Sequence, residues 1–313
     1  MSLKVRGLAL RPFFLLLLLG SALIGCGKSE KPSIKAFATP DDAANALVAV
    51  AQSDDQAAAL AIFGPDSKEI IYSGDPVQDK NVAHAFADAY GVMHRWRKLG
   101  DTSEILLVGA DNFPFPIPLQ KNASGQWFFD TAAGREEVLN RRIGRNELAI
   151  IEASQAAASA QDDYFAQLHD GTTTKQYARK FISDPGKHNG LYWPPSDGEP
   201  DSPLGPLVAF ATSEGYSVKP NAHTPFHGYY FRMLDGQTAK AQGGAKKYVV
   251  DGKMVNGFAF VAYPAEYGNS GVMTFIINQD GVLLQKDLGK STTETANAMT
   301  EFDPDSGWTP VEQ

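Results

Sequence analysis

The chain has 313 residues, 43% of them hydrophobic, and a formal net charge of −8. The acidic balance argues against nucleic acid, which demands clustered Lys and Arg, and against loose attachment to anionic lipid. The apolar content is enough to bury a real core, so the chain does not belong to the disordered class.

Lys4, Arg6 and Arg11 open the chain and an apolar run over 13–24 follows. The run is shorter than the roughly 20 residues a spanning helix needs and has the length of a signal-peptide core. It ends in Leu23-Ile24-Gly25-Cys26. This ending resembles the bacterial lipoprotein signal. In that family the cysteine thiol takes a diacylglycerol, the peptide is cut before the cysteine and the new amine is acylated. The resemblance therefore implies a removed segment 1–25 and a covalent lipid at Cys26; an ordinary secretory peptide or an uncleaved anchor is the alternative. Several acyl chains, at about 0.8 kcal/mol per buried CH₂, would anchor the chain almost permanently. No Asp follows Cys26, so enterobacterial-type sorting implies the outer membrane, facing the periplasm. Cys26 is the only cysteine, which leaves the mature body without a disulfide, a thiol nucleophile or a thiolate zinc site. Loss of 1–25 leaves 288 residues and takes the charge from −8 to −11.

Residues 26–35, polar and containing Pro32, read as a tether. A first folded segment is expected over 36–130. Thr39-Pro40-Asp41-Asp42 is a helix start, followed by Ala43, Leu47 and Val50 at helical spacing. A second helix is expected over 54–62, capped by Asp54 or Ser53. A third is expected over 81–97, with Val82, Phe86, Tyr90 and Met93 on one face and His84 and His94 as ordinary helix residues. Strands follow at 103–108 and 127–130, with at best an edge strand over 113–119 because of its three prolines, and a turn at 122–125. This order resembles the small curved-sheet, cone-shaped domains of the nuclear-transport-factor-2-like class.

A second segment is expected over 131–313. Thr131 is placed as the cap of a long helix whose stripe runs through Leu139, Ile143, Ile150, Ala153, Ala157, Ala160, Tyr164 and Leu168 and stops at Gly171. A helical turn is placed at 177–181, a tight turn at 184–186 and a Pro/Gly/Asp-rich loop at 194–206. Strands are expected at 228–234, 247–250, 257–263, 272–278 and 282–288, with Asp251-Gly252 and Asp280-Gly281 as hairpin turns at positive φ. Helices leading into antiparallel strands give an α+β class. The stretches 257–264 and 271–282, behind a long Ala-rich helix, resemble the end of type IV pilin-like proteins. The prepilin signal and apolar stem are absent, so that resemblance implies a globular head alone. Phe37-Ala38-Thr39-Pro40, Gly109 with Phe113-Pro114-Phe115-Pro116-Ile117-Pro118-Leu119, and His188-Asn189-Gly190-Leu191-Tyr192-Trp193-Pro194 resemble the landmarks of a bacterial domain-of-unknown-function family, number 2950. That resemblance covers nearly all of the mature chain and implies no activity.

The strong phosphate-loop, dinucleotide, zinc-protease and nucleophile-elbow motifs are missing from the sequence, and no cofactor or metal is expected. Three weaker constellations remain. His223 and His227 stand four apart, the spacing of two metal ligands on one helix face, but Pro225 between them favours a loop. Asp184, His188, Tyr192 and Trp193 fall in one loop, where a carboxylate would orient a histidine base and the aromatics would stack on a sugar; aromatic loop packing is the alternative. Asp197, Glu199 and Asp201 carry oxygen ligands for calcium without its loop spacing and read, like Asp303 and Asp305, as solvated acids. Three functions follow: a non-enzymatic envelope lipoprotein that binds a protein partner or aids an assembly; a hydrolase of envelope material using His188 or the His223/His227 pair; or small-ligand capture in the N-terminal segment, lined by Phe113, Phe115 and Trp127.

Overall fold

A cap and a proline start the first helix. In the computed structural model, which describes residues 34–217, 219 and 224–312, α1 (Pro40–Ser53) opens with Pro40 behind the cap Thr39. The Thr39 hydroxyl accepts from the Asp42 N–H and the Asp42 carboxylate accepts from the Thr39 N–H, which satisfies two otherwise orphaned donors. The signal segment, Cys26, most of the tether and His223 lie outside the described residues.

α2 (Gln56–Phe63) starts later than expected. Asp54 turns left-handed at φ 54° to end α1, so Asp55 supplies the cap. The short α3 (Lys68–Ile71) leads to α4 (Pro76–Val92). α4 begins five residues before the expected start because Asp75 accepts from the N–H groups of Val77 and Gln78 and Pro76 fits the first turn. It also ends early. Residues expected at its end form β1 (His94–Lys98), which pairs with β2 (Ser103–Val108). His94 is therefore a strand residue stacked on Tyr90, ring centroids 3.8 Å apart; His84 stays in α4.

The stretch 113–119 breaks into β3 (Phe113–Pro114) and β4 (Leu119–Lys121). Pro116 and Pro118 have no N–H to give a ladder, so β3 pairs with one end of β2 and β4 with the other. With β5 (Trp127–Phe129) the sheet runs β1-β2-β4-β5, and β3 sits beside β2. Leu47, Ile62, Phe63, Ile117, Leu119 and Phe129 fill the core between helices and sheet.

α5 (Thr131–Ala166) has 36 residues, about 54 Å at 1.5 Å per residue. Asp130, not Thr131, is its cap; Thr131 is the first helical residue and its hydroxyl donates to the Phe63 carbonyl at 2.8 Å. The helix stops at Ala166, which leaves Leu168 exposed beyond it. The first half of α5 lies against the N-terminal core, so closely at Gly134 that a Cβ there would sit 2.7 Å from the Ile117 Cα. The second half supplies Ile150, Ala157, Ala160 and Tyr164 to a second core.

No helical turn forms at 177–181; Tyr177 bridges Met254 instead. The proline-rich loop runs into an unexpected helix, α6 (Gly205–Ser213), with Pro206 in its first turn. The strands that follow are β6 (Tyr229–Leu234), β7 (Gly236–Gln237), β8 (Lys246–Lys247), β9 (Val249–Val250), β10 (Lys253–Met254), β11 (Ala259–Pro264), β12 (Met273–Asn278) and β13 (Leu284–Asp287). After them come α7 (Thr292–Ala298), β14 (Glu301–Phe302) and β15 (Thr309–Pro310). The main sheet is antiparallel in the order β15-β13-β12-β11-β6. Asp251 and Gly252 both take positive φ in the β9–β10 hairpin, as a two-residue primed turn requires. At 280–281 only Gly281 does so, and pairing resumes at Leu284. The class is α+β.

Two polar joints tie the parts together. The buried Arg142 guanidinium of α5 donates to the carbonyls of Glu69 and Ile70 and to Asn269 Oδ1. The buried Asp75 carboxylate accepts from the Tyr216 hydroxyl at 2.7 Å and from the Gly228 N–H at 3.1 Å.

Candidate functional site

The N-terminal half holds an open cavity of about 950 Å³. Helices α1, α2, α3, α4 and α5 and the β3–β4 segment all contribute walls. The shape follows from local rules. Capped starts aim α1 and α4, the prolines of 113–119 pull that segment off the ladder, and Gly134 lets α5 close on Ile117. Leu47, Val50, Phe63, Ile70, Phe86 and Ile117 make the walls mainly apolar. Its size suits a drug-sized organic ligand, since such sites run about 300–1,000 Å³.

Polar groups concentrate on two walls. α5 presents Arg141, Arg142 and Arg145, and α4 presents Gln78 and Asp79. Arg141 pairs with Glu137 at 2.7 Å, donates to the Pro114 carbonyl and lies 4.6 Å over the Phe113 ring. Arg142 is spent on the joint already described. Arg145 makes no hydrogen bond or ion pair within bonding distance of any described residue. Asp79 accepts two bonds from the Ser73 N–H. Burial nevertheless raises its carboxyl above the ordinary range, with the Ser73 bonds and the Arg142 charge offsetting only part of that effect.

Of the aromatics singled out in the sequence for ligand capture, Phe115 and Phe113 line the cavity, Phe113 at its exposed edge. Trp127 does not; it is buried in the core with the Lys121 ammonium 4.9 Å over its ring. Sequence reasoning missed the arginines and Asp79. The available signal was a charged residue, Arg142, and then Asn146 in register with the apolar stripe at Ile150.

The loop histidines are engaged by neighbours. His188 Nδ1 lies 3.5 Å from Asp170 and Nε2 lies 3.3 Å from Glu199, with Trp193 packed against the ring at 4.6 Å. Asp184 faces Lys180 and Asn189 rather than His188; the Lys180 bond, then that of Asn189, holds its carboxyl below the usual range. Trp193 is buried and its indole N–H donates to the Pro200 carbonyl, while Tyr192 is half-buried and bridges Ile182. His227 takes φ 45°. Its Nε2 meets Glu214 at 3.0 Å and its Nδ1 meets the Gln78 amide at 3.1 Å. Glu199 is thus drawn to His188, and no trio of His, Asp or Glu suited to a metal occurs among the described residues. Asp303 and Asp305 are ion-paired, with Lys240 and Lys286, each at 2.9 Å.

A family model described as "Protein of unknown function (DUF2950)" matches residues 34–311. The chain belongs to the DUF2950 family. The matched span takes in both cores, the cavity and the histidine loops of this DUF2950 chain. No curated protein and no solved structure matches it.

Proposed function

We propose that this DUF2950 chain is a lipid-anchored envelope protein, facing the periplasm from the outer membrane, that holds a small, largely apolar ligand in its N-terminal cavity. The observation that carries the binding reading is the 950 Å³ cavity itself, apolar over most of its wall and polar along α5. Its mouth opens to solvent at Lys80, Val82 and Phe113, so its apolar lining stays wetted until a ligand covers it. The anchor reading rests on the Leu23-Ile24-Gly25-Cys26 ending; no described helix is long and apolar enough to cross a membrane. A pilin-like head that recruits a protein partner, and hydrolysis at His188 or His227, are set second to ligand capture. Both described histidines already meet carboxylates or an amide at their two ring nitrogens.

Two experiments test the reading. Ala83 lines the cavity, and Ala83→Trp narrows it. The neutral dye N-phenyl-1-naphthylamine should fluoresce with the wild type and lose much of that signal with the narrowed variant; equal fluorescence from both, at equal folded content, would refute binding in this cavity. Cys26→Ser should move the protein from the membrane fraction to the soluble fraction, and unchanged fractionation would refute the lipid anchor.

A further inference from the structure

The cavity carries a second message in its charges. Three guanidiniums stand on the α5 wall, and two are committed within the fold. Arg141 is bound to Glu137 and to the Pro114 carbonyl. Arg142 is held by two carbonyls and an amide oxygen, and it feels the charges of Asp79 and Glu266. Arg145 is different: its fork of N–H donors has no bonded acceptor among the described residues. The acid whose charge it feels is Asp79. Asp79 makes no ion pair with it: both carboxylate oxygens accept from the Ser73 N–H, and its charge also acts on Arg142.

We infer that the ligand is an amphiphile with a single carboxylate head, which docks on Arg145 while its alkyl body lies among Leu47, Val50, Phe63, Phe86 and Ile117. This deepens, and rests on, the proposed ligand capture in the same cavity. A guanidinium fork matches a carboxylate with two parallel charge-assisted bonds. A cationic head would meet three guanidiniums, and a neutral head would leave the charge of Arg145, which is exposed to water at the cavity edge, without a counter-ion. The apolar walls exclude a small hydrophilic anion as the whole ligand, since most of the lining would then gain nothing from being covered.

Calorimetric titration of the mature chain carrying Cys26→Ser, which needs no detergent, separates these cases with three probes of equal chain length: decanoate, decanol and decyltrimethylammonium. Decanoate should bind about tenfold or more tightly than decanol, the scale of one hydrogen bond to a charged group, and the ammonium should bind most weakly. Arg145→Gln should erase the decanoate advantage and leave decanol unchanged, and Arg145→Lys should restore part of it. Equal binding of decanoate and decanol by the wild type would overturn the inference while leaving ligand capture standing, as would an Arg145→Gln variant that weakens both alike. If none of the three binds and the neutral dye ignores Ala83→Trp, ligand capture itself fails. Should Arg145→Gln misfold by circular dichroism, the wild-type ranking and Arg145→Lys still decide.

Discussion

Replacing Asp75 with alanine removes four accepted hydrogen bonds from one buried position. Two of them cap α4, from the N–H groups of Val77 and Gln78, and losing a cap costs about 1 kcal/mol. The other two come from the Tyr216 hydroxyl and the Gly228 N–H. Tyr216 and Gly228 would be stranded as buried donors, at about 1–3 kcal/mol each. The sum is about 3–7 kcal/mol, a large share of the 5–15 kcal/mol that holds a typical fold. Burial and the bond to Asp75 both push the Tyr216 hydroxyl above its ordinary pKa, which keeps it a donor at every ordinary pH. Urea unfolding followed by circular dichroism measures the loss. A cycle of Asp75→Asn with Tyr216→Phe isolates the bond itself, with an expected coupling of about 1.5–3 kcal/mol. A loss below about 1 kcal/mol for Asp75→Ala, or strictly additive single variants in the cycle, would show that this joint does not hold the two parts together.

Asp79→Asn tests the buried acid of the cavity. The native carboxyl titrates above its unfolded value of 3.8, so its ionised form destabilises the fold; that penalty is complete above the native pKa and vanishes as pH falls toward 3.8. The wild type should therefore gain on Asp79→Asn between about pH 7 and about pH 4, read as converging urea midpoints; parallel midpoints would contradict the burial argument. Two glycines of α5 should respond with opposite signs. Gly134→Ala places a Cβ 2.7 Å from Ile117 and 2.9 Å from the Pro116 carbonyl and should cost about 1–3 kcal/mol. Gly144→Ala meets nothing within 4 Å and should stabilise by up to about 1 kcal/mol; thermal melts of the two variants decide.

Elements with a strong local signature were legible in the sequence. Thr39-Pro40-Asp41-Asp42 gave α1, the three- and four-residue spacing from Ile150 to Tyr164 gave the buried half of α5, and β-branched and aromatic runs gave β6, β11 and β12. Where two signals competed, tertiary context won. Ser73-Gly74-Asp75-Pro76 reads equally as a turn and as a cap, and α4 uses it as a cap. His94–Lys98 has no apolar alternation; the pairing with β2 makes it a strand. α6 hides in a proline-rich stretch because Pro206 falls in a first turn, the one helical place that tolerates it. The cavity was half legible. Phe113 and Phe115 were found from an aromatic-proline pattern, but Asp79 and Arg145 are 66 residues apart in the chain and meet only because α4 and α5 share a wall.

The long helix α5 has a further consequence. A cut between residues 130 and 131, where sheet gives way to helix, would strip the first core of the wall that carries its arginines and of Gly134's contact with Ile117. A cut after Ala166 would leave the main sheet without the strip from Ile150 to Tyr164 unless the helix, and with it a face meant for the other core, stayed attached. One rod is the spine of both cores, so among the described residues no seam between those cores lets evolution or a protease separate a freestanding half.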